Sequence, residues 1–209
     1  MKWKPIALFA CLTAMPTVSH AIPSTQEDLR GGIRVGMEAQ SLPAEGYKDF
    51  VCAGPGGRKL ESWTQWATCP AGPDGLHALG AAVDDPRQEQ TMIAGHPVNL
   101  TFAFDDHGRL KRIDIDTAGD ARLFVRKKAY LLGLQARARY GEDGWECRNE
   151  PLAKDEEAIG ETAINEHCVK TAGDREMTVE RKLFRKVGSD PKAFTNESRV
   201  VIVWKGESR

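Results

Sequence analysis

The chain has 209 residues, with 29 Lys and Arg against 30 Asp and Glu, for a formal charge of −1 at pH 7. That balance excludes a general nucleic-acid binder, which carries a clear basic excess. The length suits one domain or two small ones.

The first segment, MKWKPIALFACLTAMPTVSHA, carries Lys2 and Lys4, a short apolar run from Ile6 to Ala14, and Ser19-His20-Ala21. A basic start, a short apolar centre and a small-x-small site read as a secretory signal peptide over residues 1–21, cleaved near Ala21. The apolar run is shorter than the ~20 residues that span a bilayer. Pro5 and Pro16 suit a helix poorly. Cys11 in LFAC offers an alternative lipoprotein site, weakened by the bulky Phe9. The expected location is therefore the periplasm or the exterior.

Four cysteines follow the leader: Cys52, Cys69, Cys147 and Cys168. An even number in an exported chain reads as disulfides. Three pairings are possible; Cys52–Cys69 and Cys147–Cys168 are favoured because nearby thiols meet most often during collapse. His167 beside Cys168 raises a catalytic thiol or a metal half-site as rivals. Neither CxxC nor HxxxH spacing occurs, and neighbours on a strand point to opposite faces. No metal is expected, and the cysteines read as structural.

In chain order, STQEDLRGG is a polar leader or short turn, and IRVGMEAQSLPAEGYKDF holds a short helical turn ending at Leu42-Pro43. CAGPGGRKLESWTQWATCPAGPDG is a loop in which Leu60, Trp63 and Trp66 recur every three residues and share a face if helical. A tryptophan pair there packs the core or, if exposed, stacks a ligand. GLHALGAAV reads as a strand. VNLTFAF and RLKRIDID form the clearest hairpin, with Val98, Leu100, Phe102 and Phe104 alternating before a turn and Ile113 and Ile115 after it. Asp105, Asp106 and His107 match turn chemistry, and Asp114 and Asp116 match an outward strand face, against a rival reading as a cation site.

Residues 117–141 predict one long helix, with Asp120 as N-cap and Gly141 as its stop. Leu123, Phe124, Tyr130, Leu131, Leu134 and Ala138 are its expected core face. Arg122, Arg126, Lys127, Lys128, Arg137 and Arg139 make the remainder basic, while residues 142–166 hold nine acids and two bases. Either the two stretches neutralise one another, or the helix binds an anionic lipid, polymer or acidic partner. PLAKDEEAIGETAIN is a surface loop or short helix. MTVERKLF and RVVIVWK are strands, the second apolar on both faces and so expected to be central and doubly covered.

The two halves share a plan: a helical piece, a cysteine pair associated with tryptophan (Trp63 and Trp66 in the first half, Trp145 in the second), then strands. The segment with Ile33, Gly36 and Met37 resembles the first-helix start of small envelope domains of the BamE/SmpA type. The tandem plan with one staple per half resembles the β-lactamase-inhibitor-protein architecture. The Gly-x-Pro expected after the first helix is matched only loosely, by Leu42-Pro43 and Gly46. The resemblance implies helix-on-antiparallel-sheet modules that bind other proteins and catalyse nothing.

The expected fold class is therefore α+β, with antiparallel sheet packed on helices in modules 22–118 and 119–209, or in one continuous domain. No G-x-S-x-G occurs, GPGGRK lacks the P-loop spacing, and His77, His96, His107 and His167 are scattered. The leading expectation is a non-catalytic periplasmic protein, without cofactor, that binds an envelope protein through Trp63, Trp66, Arg126, Arg137 and Arg139. The alternatives are an anionic lipid or polymer held by the basic helix, and a hydrolase with an unrecognised site.

Overall fold

The computed structural model describes residues 26–206; the expected signal peptide and Cys11 lie outside them. The elements are β1 (Tyr47–Cys52), β2 (His77–Val83), β3 (Met92–Ile93), β4 (His96–Phe104), β5 (Leu110–Thr117), α1 (Leu123–Arg126), α2 (Tyr130–Arg139), β6 (Glu146–Asn149), β7 (Glu156–Glu157), β8 (Ile164–Ala172), β9 (Arg175–Lys186) and β10 (Phe194–Trp204). Short 3-10 turns cover Ala39–Ser41 and Trp63–Thr68. Every strand pairing is antiparallel.

The strands form one sheet in the order β1-β2-β4-β5-β10-β9-β8-β6, with β3 added to β4 and β7 to β9. Each half runs from an outer strand inward, and β5 and β10 meet at the centre. The sheet thus continues across the 118/119 boundary. This corrects the α+β expectation: the molecule is sheet-dominated. The long helix is not formed as one piece. It begins only at Leu123, after Arg122 at ψ 142°, without a side-chain cap. Residues 127–129 then form a turn, and only Tyr130–Arg139 make a helix of any length. Its stop is the expected one, with Gly141 at φ +84°.

Alternation in the strands builds a core on one face. Register aligns Leu100, Ile115, Val200 and Val179 in one transverse row, ending at Cys168 and Cys147. Phe102, Ile113, Ile202 and Met177 make the next row, all fully or nearly fully buried. Residues 28–42, the tryptophan loop and α2 contribute buried side chains to the same core. The opposite face carries the row Asp116, Arg199, Glu180, His167 and Arg148, the polar side of a one-sided antiparallel sheet. β10 is central, as expected, but Val201 and Val203 on that polar face are only half-buried. It is covered on one side, which corrects the doubly covered expectation.

Both sheet edges are guarded against pairing with another chain. At β1, Cys52 N–H donates to Arg58 and Leu60 N–H to Phe50, so the following loop covers the strand. At the other edge β6 is four residues long, fully exposed and charged. Among the described residues, no helix is long and apolar enough to cross a membrane.

Candidate functional site

The cysteines form Cys52–Cys69 and Cys147–Cys168. Two disulfides point to an oxidising, extracytoplasmic environment. Cys168 is fully buried on the core face, whereas its neighbour His167 faces the polar side, with Nδ1 3.5 Å from Glu180 Oε1. The adjacent histidine and cysteine therefore share no site. Cys147, Glu166 and Cys168 bring potential metal donors together, but both sulfurs are consumed in the bond between them, so no thiolate is available.

The expected partner-binding residues are redistributed. Trp63 is 3% exposed, packs edge-on against Phe50 and Phe102 at 4.7 and 4.8 Å, and donates to Pro43 O at 2.9 Å. Trp66 is partly buried, beside His77 and Phe104. Its indole stands where a Cβ on Gly108 would fall 2.9 Å away, so the turn after β4 needs glycine both there and for its φ of +77°. Trp63 is core, which removes it from any docking surface, and Trp66 packs against that core while staying partly exposed. Arg126 donates to Phe194 O and lies 5.1 Å from the Phe194 ring. Arg139 donates twice to Glu27 O. These two cations brace the fold; Arg137 is half-buried on α2.

Charge neutralisation between 122–139 and 142–166 is not what forms. Among the described residues five of those nine acids form ion pairs outside 122–139: Glu166 with Arg181, Glu157 with Arg185, Asp155 and Glu156 with Lys186, and Glu150 with Arg148. Arg122, Lys127, Lys128 and Arg137 have no ion pair among the described residues.

The buried face of α2 is also not the expected one. Ala129, Leu132, Gly133 and Ala136 face inward. A Cβ on Gly133 would sit 3.0 Å from Val179 Cγ1 and Arg181 Cδ, so glycine lets the helix lie close on β9. The signal was present as a stripe of small residues at helical spacing, Ala129, Gly133 and Ala136, outranked by bulkier neighbours. Because that stripe turns inward, Leu123, Phe124, Tyr130 and Leu134 turn outward, and Phe124 is 68% exposed. Lys128 Nζ lies 5.3 Å from the Phe124 ring. The result is a helical surface with four apolar side chains among four unneutralised cations.

Asp114 lies with Asp116 on the strand face opposite Ile113 and Ile115, as expected, and is buried there beneath its partners Arg112 at 2.8 Å and Arg199 at 2.6 Å. Asp105 Oδ1 accepts from the amides of His107 and Arg109. These contacts account for the turn and strand acids as structure.

The most buried titratable cluster lies beneath the end of α2. Asp28 Oδ1 accepts from the Tyr140 hydroxyl at 2.8 Å, Oδ2 accepts from Val35 N–H at 2.9 Å, and Arg175 Nε lies 3.5 Å away. Burial pushes the Asp28 carboxyl above its ordinary range, against the lowering pull of Arg175, the Val35 amide and Tyr140. Burial likewise raises the Tyr140 phenol, with the Asp28 charge adding to it, and pushes Tyr47 up to about 12. The Tyr140 phenol and the tethered acid make a brace between the N-terminal segment, α2 and β9, and the Tyr47 hydroxyl ties that segment to β1 by donating to Arg30 O. No protein family, curated protein or solved structure matches the chain.

Proposed function

We propose that this is an exported, non-catalytic periplasmic protein, its leader cleaved near Ala21, that docks on anionic lipid surfaces of the envelope through α1 and α2. The observation that carries this reading is the exposure of Leu123, Phe124, Tyr130 and Leu134 among Arg122, Lys127, Lys128 and Arg137. Apolar side chains ringed by cations suit the headgroup boundary, where rings enter and ammonium groups meet lipid phosphates. Each cation near an anionic leaflet contributes about 1 kcal/mol. The envelope-protein reading keeps fewer supports, since Trp63 is core, Trp66 is packed against it, and two of its three arginines bind backbone carbonyls.

Flotation of the mature protein with vesicles tests it. Phosphatidylglycerol-containing vesicles should carry the protein, and pure phosphatidylcholine vesicles should not. Replacing Lys127 and Lys128 together by Glu should weaken binding roughly 30-fold or more, from at least ~2 kcal/mol of lost attraction. Raising the salt should release the protein, through screening over roughly 10 Å at 0.1 M. Equal binding by the Lys127→Glu/Lys128→Glu variant would refute the assignment and turn attention to an acidic protein partner.

A further inference from the structure

A cleft of about 240 Å³ opens on the inner side of α2, between that helix, the 28–30 segment and the β3–β4 hairpin. It is distinct from the outward surface just proposed, although α2 forms part of both. Leu29, Ile93, Leu132 and Val200 are among its apolar walls, and the exposed Arg30, Gln135 and Arg139 stand among its lining residues.

The charge at this mouth favours an anion. Asp28 is the acid among the lining residues, and its oxygens are already engaged by Tyr140, Val35 and Arg175. Arg30 is 60% exposed and reaches Asp85 only at 3.7 Å, while Arg87 already holds that carboxylate at 2.9 and 3.0 Å. Arg139 directs its hydrogen bonds at the neutral carbonyl of Glu27, and the Glu27 carboxylate lies farther off, at 3.6 Å. Two guanidinium groups thus retain capacity for a carboxylate, whose planar geometry matches their fork. An apolar cavity of ~150 Å³ accepts benzene, so on the same scale this cleft holds a chain of roughly eight to ten carbons.

We propose that the cleft binds one straight-chain anionic amphiphile, a medium-length fatty carboxylate, with its chain against Leu132 and Val200 and its headgroup at Arg30 and Arg139. Calorimetric titration of the mature protein with decanoate below its micelle concentration tests this without any membrane. One equivalent should bind with a negative heat-capacity change, the mark of apolar burial. Decyltrimethylammonium, with the same chain and opposite charge, should bind at least tenfold more weakly. Ile93→Trp, which fills the cleft from its half-exposed rim, should abolish decanoate binding, and Arg30→Gln should weaken it about fivefold. Arg30→Gln alters an exposed side chain, so the test stands even if Ile93→Trp does not fold. The Lys127→Glu/Lys128→Glu variant should bind decanoate normally, which separates this site from the vesicle surface. No saturable decanoate binding, equal binding of the cation, undiminished binding by Arg30→Gln, or loss in the lysine variant would each overturn the proposal.

Discussion

Opening both disulfides is expected to unfold the protein under conditions in which the oxidised chain is fully native. The bridges close loops of 17 and 21 residues in sequence separation, and on the chain-entropy account each stabilises by about 3 kcal/mol. Together that is about 6 kcal/mol, comparable with the whole stability of a typical domain, about 5–15 kcal/mol. Their positions add to the effect. Cys52–Cys69 ties the end of β1 to the tryptophan loop that fills the first half of the core. Cys147–Cys168 fastens the short, exposed edge strand β6 to β8, where four residues of pairing alone hold poorly. Urea denaturation with and without a thiol reductant measures this directly. Replacing one bridge by alanines should lower the midpoint by the equivalent of about 3 kcal/mol. An unchanged midpoint after complete reduction would show that the bridges do not brace the fold.

The second large effect is expected at Asp28. Its side chain is fully buried and ties three parts of the molecule: the turn at Ile33–Val35, the end of α2 through Tyr140, and the start of β9 through Arg175. Asp28→Ala orphans the Val35 amide and the Tyr140 hydroxyl, and takes from Arg175 a carboxylate at 3.5 Å, closer than that of Asp174 at 3.7 Å. Losing one partner of a buried pair, with its hydrogen bonds, costs about 3–5 kcal/mol. Asp28→Asn should cost less, because its carbonyl still accepts from Tyr140 and burial already disfavours the charge. The effect has a defined pH dependence. An acid whose folded pKa exceeds its unfolded value favours the fold most below that unfolded value, here 3.8, and the advantage fades as pH rises through the folded value. The penalty of Asp28→Ala should therefore be greatest below about pH 4 and shrink toward neutrality. Paired denaturation curves across that range check it. A penalty that grows with pH would mean that Arg175, and not burial, dominates the carboxyl.

The strands were legible because period-2 alternation states which face is buried. Val98, Leu100 and Phe102 against Ile113 and Ile115 give a hairpin and its buried face. The disulfides were legible because compartment and proximity restrict the pairing. The helical segment misled for a physical reason. Hydrophobic bulk marked Leu123, Phe124, Tyr130 and Leu134 as core, yet close packing on a flat sheet selects small side chains, and Gly133 and Ala136 won that contact. Trp63 and Trp66 were ambiguous because their spacing fixes a shared face without saying what covers it. The Asp28 cluster had no local signal, since its side-chain partners Tyr140 and Arg175 lie 112 residues or more along the chain. Pairing of the acids at 155–166 with β9 likewise depends on strand order, which charge counting does not supply.

The outward-turned helical surface is tested most directly by placing a reporter at its most exposed ring. Phe124→Trp should leave the fold intact, because Phe124 is 68% exposed. With vesicles containing brominated phosphatidylglycerol, the fluorescence added by the introduced indole should shift to the blue and be quenched, relative to the unaltered protein. Vesicle-bound protein whose added tryptophan emission stays solvent-like and unquenched would place the contact elsewhere and contradict docking through α1 and α2.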